Sequence, residues 1–153
     1  MEQKRPRSRL TIDYNVNPLL TLGLEYNTEV GEIGFRGTYV AVRESEDTSQ
    51  VHFGTSSDRI GTPKGFQQYS VNFAKAIPGT QLSPYASVTY SEFDKQLVFP
   101  FGINYQLDEN WSLLGMHDGR KSHLLLNYSA EEYYVQLMYI WFRRAGVTVG
   151  FGF

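Results

Sequence analysis

The sequence predicts an all-β chain that folds as an antiparallel up-and-down transmembrane β-barrel of about ten strands, with roughly eight to twelve allowed. Three observations lead to this prediction. First, apolar and polar residues alternate through most of the chain, and a period of two places successive side chains on opposite faces of a strand. Second, no window has a helical period, and the longest apolar run, 137–142, is far shorter than the ~18 residues of a membrane helix. Third, the charged residues gather between the alternating segments.

The composition agrees with strands that face water on one side. The chain has 153 residues, of which 41% are hydrophobic and 15% aromatic, yet its mean hydropathy is −0.36. A transmembrane barrel combines a polar average with apolar segments because half of each strand faces water. The net charge of −2 argues against a nucleic-acid partner, which would need clustered Lys and Arg. The absence of cysteine excludes disulfides, thiol catalysis and cysteine-ligated metals.

The N-terminal residues are basic and lack the apolar stretch of a signal peptide. A transmembrane barrel of an exported protein would carry such a leader, so we expect one to have been removed. We predict one barrel domain over 1–153, in which 1–8 form a flexible basic tail.

The first two alternating segments predict a β-hairpin. Segment 10–16 alternates cleanly, and 20–27 resumes the alternation with four apolar residues on one face. Between them, 15–18 is a turn, because Asn favours turn conformations and Pro18 cannot donate to a strand ladder. A third strand is expected over 33–43.

The middle of the chain is less regular. A polar loop at 44–50 leads to 51–57, which alternates weakly. Counting 51–57 as a strand would give eleven candidates, whereas bacterial single-chain barrels prefer even numbers, so we predict that it is not a strand and that about ten remain. Turn residues crowd 58–65. Strands are then expected over 66–76 and 84–93, with a turn at 77–80 between them.

The second half of the chain alternates more strongly. Residues 97–107 form the clearest predicted strand, with six apolar side chains on one face. A tight turn at 108–110 leads into a return strand that begins at Trp111, and 117–122 is a polar loop. The remaining strands are expected over 123–129, 132–142 and 145–153.

The final segment carries a resemblance to a known class of protein. Val147, Val149, Phe151 and Phe153 lie on one face of 145–153, whereas Thr148, Gly150 and Gly152 lie on the other. This pattern resembles the last strand of bacterial outer-membrane β-barrels, which alternates, ends in Phe and is recognised by the barrel-insertion machinery. The resemblance implies a place in the outer membrane, an insertion signal at Phe151 and Phe153, and membrane lipid, the insertion machinery and other envelope proteins as partners.

The two faces of the predicted strands differ in chemistry. The faces opposite the apolar stripes consist mainly of Thr, Ser, Asn, Gln and Gly, and charge on them is sparse, with Asp13, Glu25 and Arg36 as the main examples. We predict that these three form a polar network in the lumen and that Arg36 pairs with Glu25 or Asp13, because buried charges need partners. The residues predicted to face lipid are Leu22, Leu24, Phe99, Phe101, Ile103, Val147, Val149 and Phe151.

Aromatic residues recur near the ends of the predicted strands, where amphipathic rings form the interfacial girdles of membrane barrels. Ordinary cross-strand pairing in a soluble sheet is the alternative interpretation. The predicted girdle consists of Tyr14, Tyr26, Tyr105, Trp111, Tyr128 and Tyr133.

One loop carries side chains that are able to do chemistry. His117, Ser122 and His123 lie within a few residues of Asp118, which are the ingredients of acyl transfer. Asp118-Gly119 is also a favoured hairpin turn, so the loop is more simply explained as a turn. We predict no catalytic residue, no metal site and no cofactor.

The favoured function is a non-enzymatic outer-membrane scaffold, interaction module or narrow pore. Three alternatives stay open. The chain would be an outer-membrane enzyme that modifies lipid through His117, Ser122 and His123, a soluble barrel that binds an apolar ligand, or one barrel subunit of a larger envelope assembly.

Overall fold

The computed structural model describes residues 8–28, 31–58 and 65–152, which form strands and turns and contain no helix. The strands join in one antiparallel sheet, as the alternation predicts, and they number twelve. The strands are β1 (Arg9–Asn17), β2 (Leu20–Asn27), β3 (Glu32–Val42), β4 (Gln50–Ser57), β5 (Gln67–Ala74), β6 (Leu82–Ser91), β7 (Gln96–Val98), β8 (Phe101–Gln106), β9 (Trp111–His117), β10 (Ser122–Ser129), β11 (Tyr133–Ile140) and β12 (Arg144–Phe151).

The strands follow one another in the sheet in chain order. The order is β1-β2-β3-β4-β5-β6-β8-β9-β10-β11-β12, and the short β7 pairs with β6. The fold is therefore an up-and-down meander in which the strands β1 and β12 are the two ends of the order. Hydrogen-bonded neighbours along the meander are joined by hairpin turns or loops. The register of each pair therefore places the apolar side chains of neighbouring strands on the same face of the sheet.

The preference for ten strands is wrong, because 51–57 lies within the eight-residue strand β4. Its partner β3 sets the register, with Tyr39 opposite Phe53 and Val40 opposite His52. The alternation looked weak because Gly54, Thr55 and Ser56 offer little apolar contrast. Pairing with a neighbour, which no local pattern reports, makes this segment a strand.

The predicted strand 97–107 is also interrupted. Strand β7 ends at Val98 and β8 begins at Phe101, and both pair with β6. Pro100 lies in the gap, and because it has no N–H group it cannot donate to the ladder. This break accounts for the twelfth strand.

The predicted strand 132–142 ends early, at Ile140, in a tight turn to Arg144. Trp141 and Phe142 have φ angles of 56° and 51°. Two successive residues with positive φ belong to the hairpin turn that suits the twist of antiparallel strands, a position usually filled by Asn or Gly. The sequence offers no such residues here, so the turn was not predicted.

The chain divides into two compact units. The first contains the described residues up to Phe73 together with Ser87–Val98, and the second contains Ala74–Ala86 and the described residues from Phe99 onward. Strand β6 contributes its second half to the first unit and its first half to the second.

The predicted flexible tail at 1–8 lies outside the described residues except for Ser8. The Thr28 hydroxyl donates to the Ser8 carbonyl oxygen at 2.7 Å, so the described part of the chain is held from this residue onward.

Candidate functional site

The apolar parity of each strand is exposed. In the first unit Ile12 is 70% exposed, and in the second unit Phe101 and Phe151 are 57% and 72% exposed. Of the residues predicted to face lipid, Leu22 is half-buried and the others are exposed. Among the described residues the only large hydrophobic side chain that is buried is Leu125.

Polar side chains take the buried positions instead. Glu25 is 3% exposed, and in β6 the hydroxyls of Ser87, Thr89 and Ser91 are all buried. A water-soluble domain normally buries its aliphatic and aromatic side chains and leaves Glu outside. The described residues show the opposite distribution.

Two ion pairs hold the charged side chains on the polar face of the first unit. Arg36 Nε lies 3.1 Å from Asp13 Oδ1, and Arg9 Nη1 lies 3.2 Å from Glu25 Oε2. Of the two partners that the sequence predicts for Arg36, the structure pairs it with Asp13. Glu25 also accepts a hydrogen bond from the Ser57 backbone N–H at 2.6 Å, so its buried carboxylate has both a charged and a neutral donor.

Arg9 was not among the predicted network residues. It directly follows the predicted basic tail, but it is the first residue of β1 and lies on the same face as Thr11 and Asp13. The signal was available in the parity of 9–15, where the odd-numbered residues are polar.

Asp58 is a second buried carboxylate that the sequence did not single out. It follows β4, is 1% exposed, and accepts hydrogen bonds from the Ser91 hydroxyl at 2.6 Å and the Phe93 backbone N–H at 2.8 Å. Asp58 begins a segment rich in turn residues, and its partners lie more than thirty residues away, so the local sequence does not indicate this role.

A polar depression of about 160 Å³ lies on the same face of the first unit. Its floor is made by short side chains, and the Asn72 amide donates to the Ser70 hydroxyl at 2.9 Å. The cavity has room for a few ordered water molecules between polar groups. It is lined by Arg36, Gly37, Thr38, His52, Gly54, Thr55, Ser56, Gln68, Ser70 and Asn72.

Three of the predicted girdle residues form a row in the second unit. The ring centroids of Trp111 and Tyr128 are 4.9 Å apart, and those of Tyr128 and Tyr133 are 5.9 Å apart. Trp111 and Tyr133 begin strands β9 and β11, and Tyr128 lies next to the last residue of β10. Tyr105 is exposed in β8 of the same unit, and Tyr14 and Tyr26 are exposed in the first unit.

The four side chains considered for acyl transfer form two separate pairs. His117 Nδ1 lies 3.2 Å from Ser122 Oγ, and these residues are cross-strand partners on the face that carries Phe101. His123 lies on the opposite, polar face, where its Nε2–H donates to Asp118 Oδ2 at 2.8 Å. The serine and the acid therefore contact different histidines, and no Ser-His-Asp relay is assembled.

Asp118 organises the turn between β9 and β10. Its Oδ1 accepts backbone N–H groups from Arg120 and Lys121 at 2.9 and 2.8 Å, and Gly119 supplies the positive φ of 89°. Burial by itself would raise the Asp118 pKa, but the N–H groups of Lys121, His123 and Arg120 favour the carboxylate, so the pKa lies below its ordinary value of 3.8.

The part of the chain that the structure describes holds no group of three or more His, Asp or Glu side chains able to bind a metal ion. Nor does it include a helix of the length and apolarity needed to cross a bilayer. Of the two predicted insertion-signal residues, Phe151 is exposed at the end of β12, and Phe153 lies outside the described residues.

The chain matches no protein-family model, and it finds no significant match among curated proteins or solved structures. The physical arrangement of its side chains is thus the basis for assigning a function.

Proposed function

We propose that this chain is an integral membrane protein whose sheet closes through β1 and β12 into a transmembrane β-barrel. Its location is the outer membrane of a bacterium of the Gram-negative type, as the resemblance of the terminal strand implies. Its role is non-enzymatic, as a scaffold or interaction module of the cell envelope.

One observation carries this proposal: the strands expose most of their large apolar side chains, and the few side chains that are buried are mainly polar. Hydrocarbon is the solvent that favours such an exterior, and a barrel is the only sheet that leaves no unpaired edge within it. A soluble barrel that binds an apolar ligand would need residues such as Phe101 and Ile103 to pack around that ligand, yet both are exposed. This alternative therefore has less support.

The polar face supports a filled interior more than an open channel. Four of its charged side chains form the Asp13–Arg36 and Arg9–Glu25 pairs, and Gln68 donates to the Ser56 hydroxyl at 2.8 Å. A small barrel has little interior volume beyond that of its own side chains. Large, steady conductance in a planar bilayer, which we do not expect, would rule out a filled interior.

The geometry gives the lipid-modifying alternative no added support. Within the described residues His117 has a serine partner but no carboxylate to orient its other nitrogen, and Asp118 is engaged by His123 and by two backbone N–H groups.

The decisive experiment compares two neighbouring residues of β12. Val147 is exposed on the apolar face, and Thr148 faces Gln136 on the polar face. In a membrane, Val147→Lys should destabilise the refolded protein by roughly 2–4 kcal/mol near the bilayer midplane, whereas Thr148→Lys should cost less because the lumen is polar. Unfolding in urea from phosphatidylcholine vesicles measures both variants.

The same experiment contradicts the proposal if Val147→Lys is neutral, as expected for an exposed side chain in water. The wild-type chain should also need detergent for solubility and show heat-modifiable migration on a gel. A stable monomer in buffer without detergent would overturn the membrane assignment.

A further inference from the structure

Two hairpin turns form one end of the second unit. The turn between β9 and β10 and the turn between β11 and β12 are neighbours, because His123 pairs with Ile140 in the strands that lead into them. Together the turns carry four cations, here named the basic rim: Arg120, Lys121, Arg143 and Arg144.

The opposite end of the same hairpins is acidic. Asp108 and Glu109 lie in the turn between β8 and β9, and Glu131 and Glu132 lie in the turn between β10 and β11. The hairpins of the second unit therefore have a positive end and a negative end. This separation gives the basic rim an attraction for anions that the chain's overall charge of −2 does not suggest.

The only carboxylate within the basic rim's two turns is already occupied. Asp118 accepts hydrogen bonds from His123 and from the backbone of Arg120 and Lys121. Neither Arg143 nor Arg144 forms an ion pair with any residue in the described ranges. The guanidinium groups of these two residues thus remain available to a ligand.

Aromatic side chains lie beside the cations of the basic rim. Lys121 Nζ lies 3.7 Å from the centroid of the Trp141 ring, a cation–π contact that keeps the ammonium group beside the β11–β12 turn. Phe142 is 53% exposed and contacts Tyr139 edge-on, with their centroids 5.6 Å apart. Cations and exposed rings therefore occur together at one strand end.

The backbone of this turn is strained. Trp141 and Phe142 both have positive φ, a conformation that costs a non-glycine residue free energy and that is found most often at functional sites. A Gly or Asn would form the turn more readily. The turn therefore needs this backbone conformation but does not need the two aromatic side chains.

From these observations we propose that the basic rim binds the phosphate headgroup of an anionic phospholipid. Lys121 and Arg143 contact the phosphate oxygens, and Phe142 and Tyr139 insert between the uppermost acyl carbons. This inference rests on the proposed membrane location. The exposed rings select a lipid over a free phosphate ion, because free phosphate has no apolar part for Phe142 to contact.

The test uses the full chain reconstituted in phosphatidylcholine vesicles, in a Trp111→Phe background so that Trp141 is the only fluorophore among the chain's two Trp residues. Phosphatidylglycerol or phosphatidylcholine, each spin-labelled near the headgroup, is added as a quencher. Wild-type Trp141 should be quenched more strongly by labelled phosphatidylglycerol, with a relative affinity of roughly fivefold for each cation engaged, and the preference should fall at high salt.

Lys121→Gln/Arg143→Gln should reduce the preference toward equality. The matched control is Arg43→Gln/Lys95→Gln, which removes the same charge from two exposed positions outside the basic rim and should retain the preference. Equal quenching by both lipids in the wild type, or equal loss in both double variants, would overturn the proposal. Displacement of the labelled lipid by millimolar inorganic phosphate would also overturn it, because the site would then be one for the free ion.

The membrane assignment fails separately. Flotation with pure phosphatidylcholine vesicles measures insertion without any anionic lipid. A chain that floats neither with these vesicles nor with vesicles containing phosphatidylglycerol contradicts the proposed function. A chain that floats with both kinds of vesicle but shows no lipid preference contradicts only the basic-rim proposal.

Discussion

Arg36 reaches Asp13 across a position that has no side chain. Asp13, Gly23 and Arg36 lie in one row across β1, β2 and β3, and Nε of Arg36 is 3.1 Å from Oδ1 of Asp13. A Cβ atom at Gly23 would collide with that same Oδ1 atom. The glycine therefore makes room for an ion pair between strands that are not neighbours.

A double-mutant cycle should measure this relationship. Asp13→Asn, Arg36→Gln and the double variant should give a coupling free energy of about 0.2–1 kcal/mol, because both side chains are about one-third exposed and solvent screens the pair. Urea unfolding from vesicles provides the free energies. Coupling indistinguishable from zero would mean that the two charges do not interact in the folded protein.

Gly150 should tolerate no larger residue. A Cβ atom there would overlap the ring of Tyr134, its cross-strand partner. Gly150→Ala should therefore destabilise the protein by roughly 1–3 kcal/mol, the usual cost of overpacking.

Gly152→Ala is the matched control, because a Cβ atom at Gly152 meets nothing within 4 Å. Adding Tyr134→Ser to Gly150→Ala should recover most of the loss. If Gly150→Ala and Gly152→Ala unfold at the same urea concentration, the contact with Tyr134 does not constrain β12.

Asp118 should make stability depend on pH. Its pKa is lower in the folded protein than its ordinary value of 3.8. The carboxylate therefore contributes stability that is fully present above that value and is lost as the pH falls through the folded-state pKa. The thermal midpoints of wild type and Asp118→Asn should differ at pH 7 and converge as the pH is lowered below 3.8.

Glu109→Gln is a suitable control, because it removes a carboxylate from an exposed turn of the same unit. A wild-type and Asp118→Asn difference that stays constant down to the lowest pH would show that the charge of Asp118 adds nothing to stability.

The positive φ at Phe142 should make a glycine variant more stable than an alanine variant, the reverse of the usual order of stability. Phe142→Gly and Phe142→Ala both remove the ring that contacts Tyr139. At a φ of 51° the Cβ atom of any other residue crowds the backbone, and glycine avoids this cost because it has no Cβ atom. Phe142→Gly should therefore be more stable than Phe142→Ala by about 1 kcal/mol, whereas glycine is normally the less stable residue within a strand.

Equilibrium unfolding of the two variants in the same lipid provides the comparison. An alanine variant as stable as the glycine variant would show that the positive φ carries no energetic cost in this turn.

Most of the fold follows from the parity of apolar residues. Segments such as 10–16 and 20–27 are strands because every second side chain is apolar, and the observed β1 and β2 extend them by no more than one residue. Apolar alternation does not identify a strand whose two faces are similar in polarity, as in β4. It also does not show that Pro100 interrupts an otherwise regular strand pattern. The turn at Trp141 has neither Gly nor Asn to mark it.

The polar contacts were only partly predictable. The partner of Arg36 follows from hairpin register, because the β1–β2 and β2–β3 pairings place Asp13 and Arg36 in one row. Glu25 lies in a different row, opposite Thr11 and Gly34, and forms its ion pair with Arg9 instead. The contacts of Asp58 join the end of β4 to the last residue of β6 and to Phe93 just beyond it, and no local pattern encodes a pairing of that separation.

The meander has a consequence for assembly. Because each strand pairs with one that is close in the chain, the sheet can grow by adding hairpins one at a time, with short loops to close and little entropy lost at each step. The joining of β1 to β12 that we propose is the exception, since it brings together the two extremes of the polypeptide. That step should come last and be the slowest.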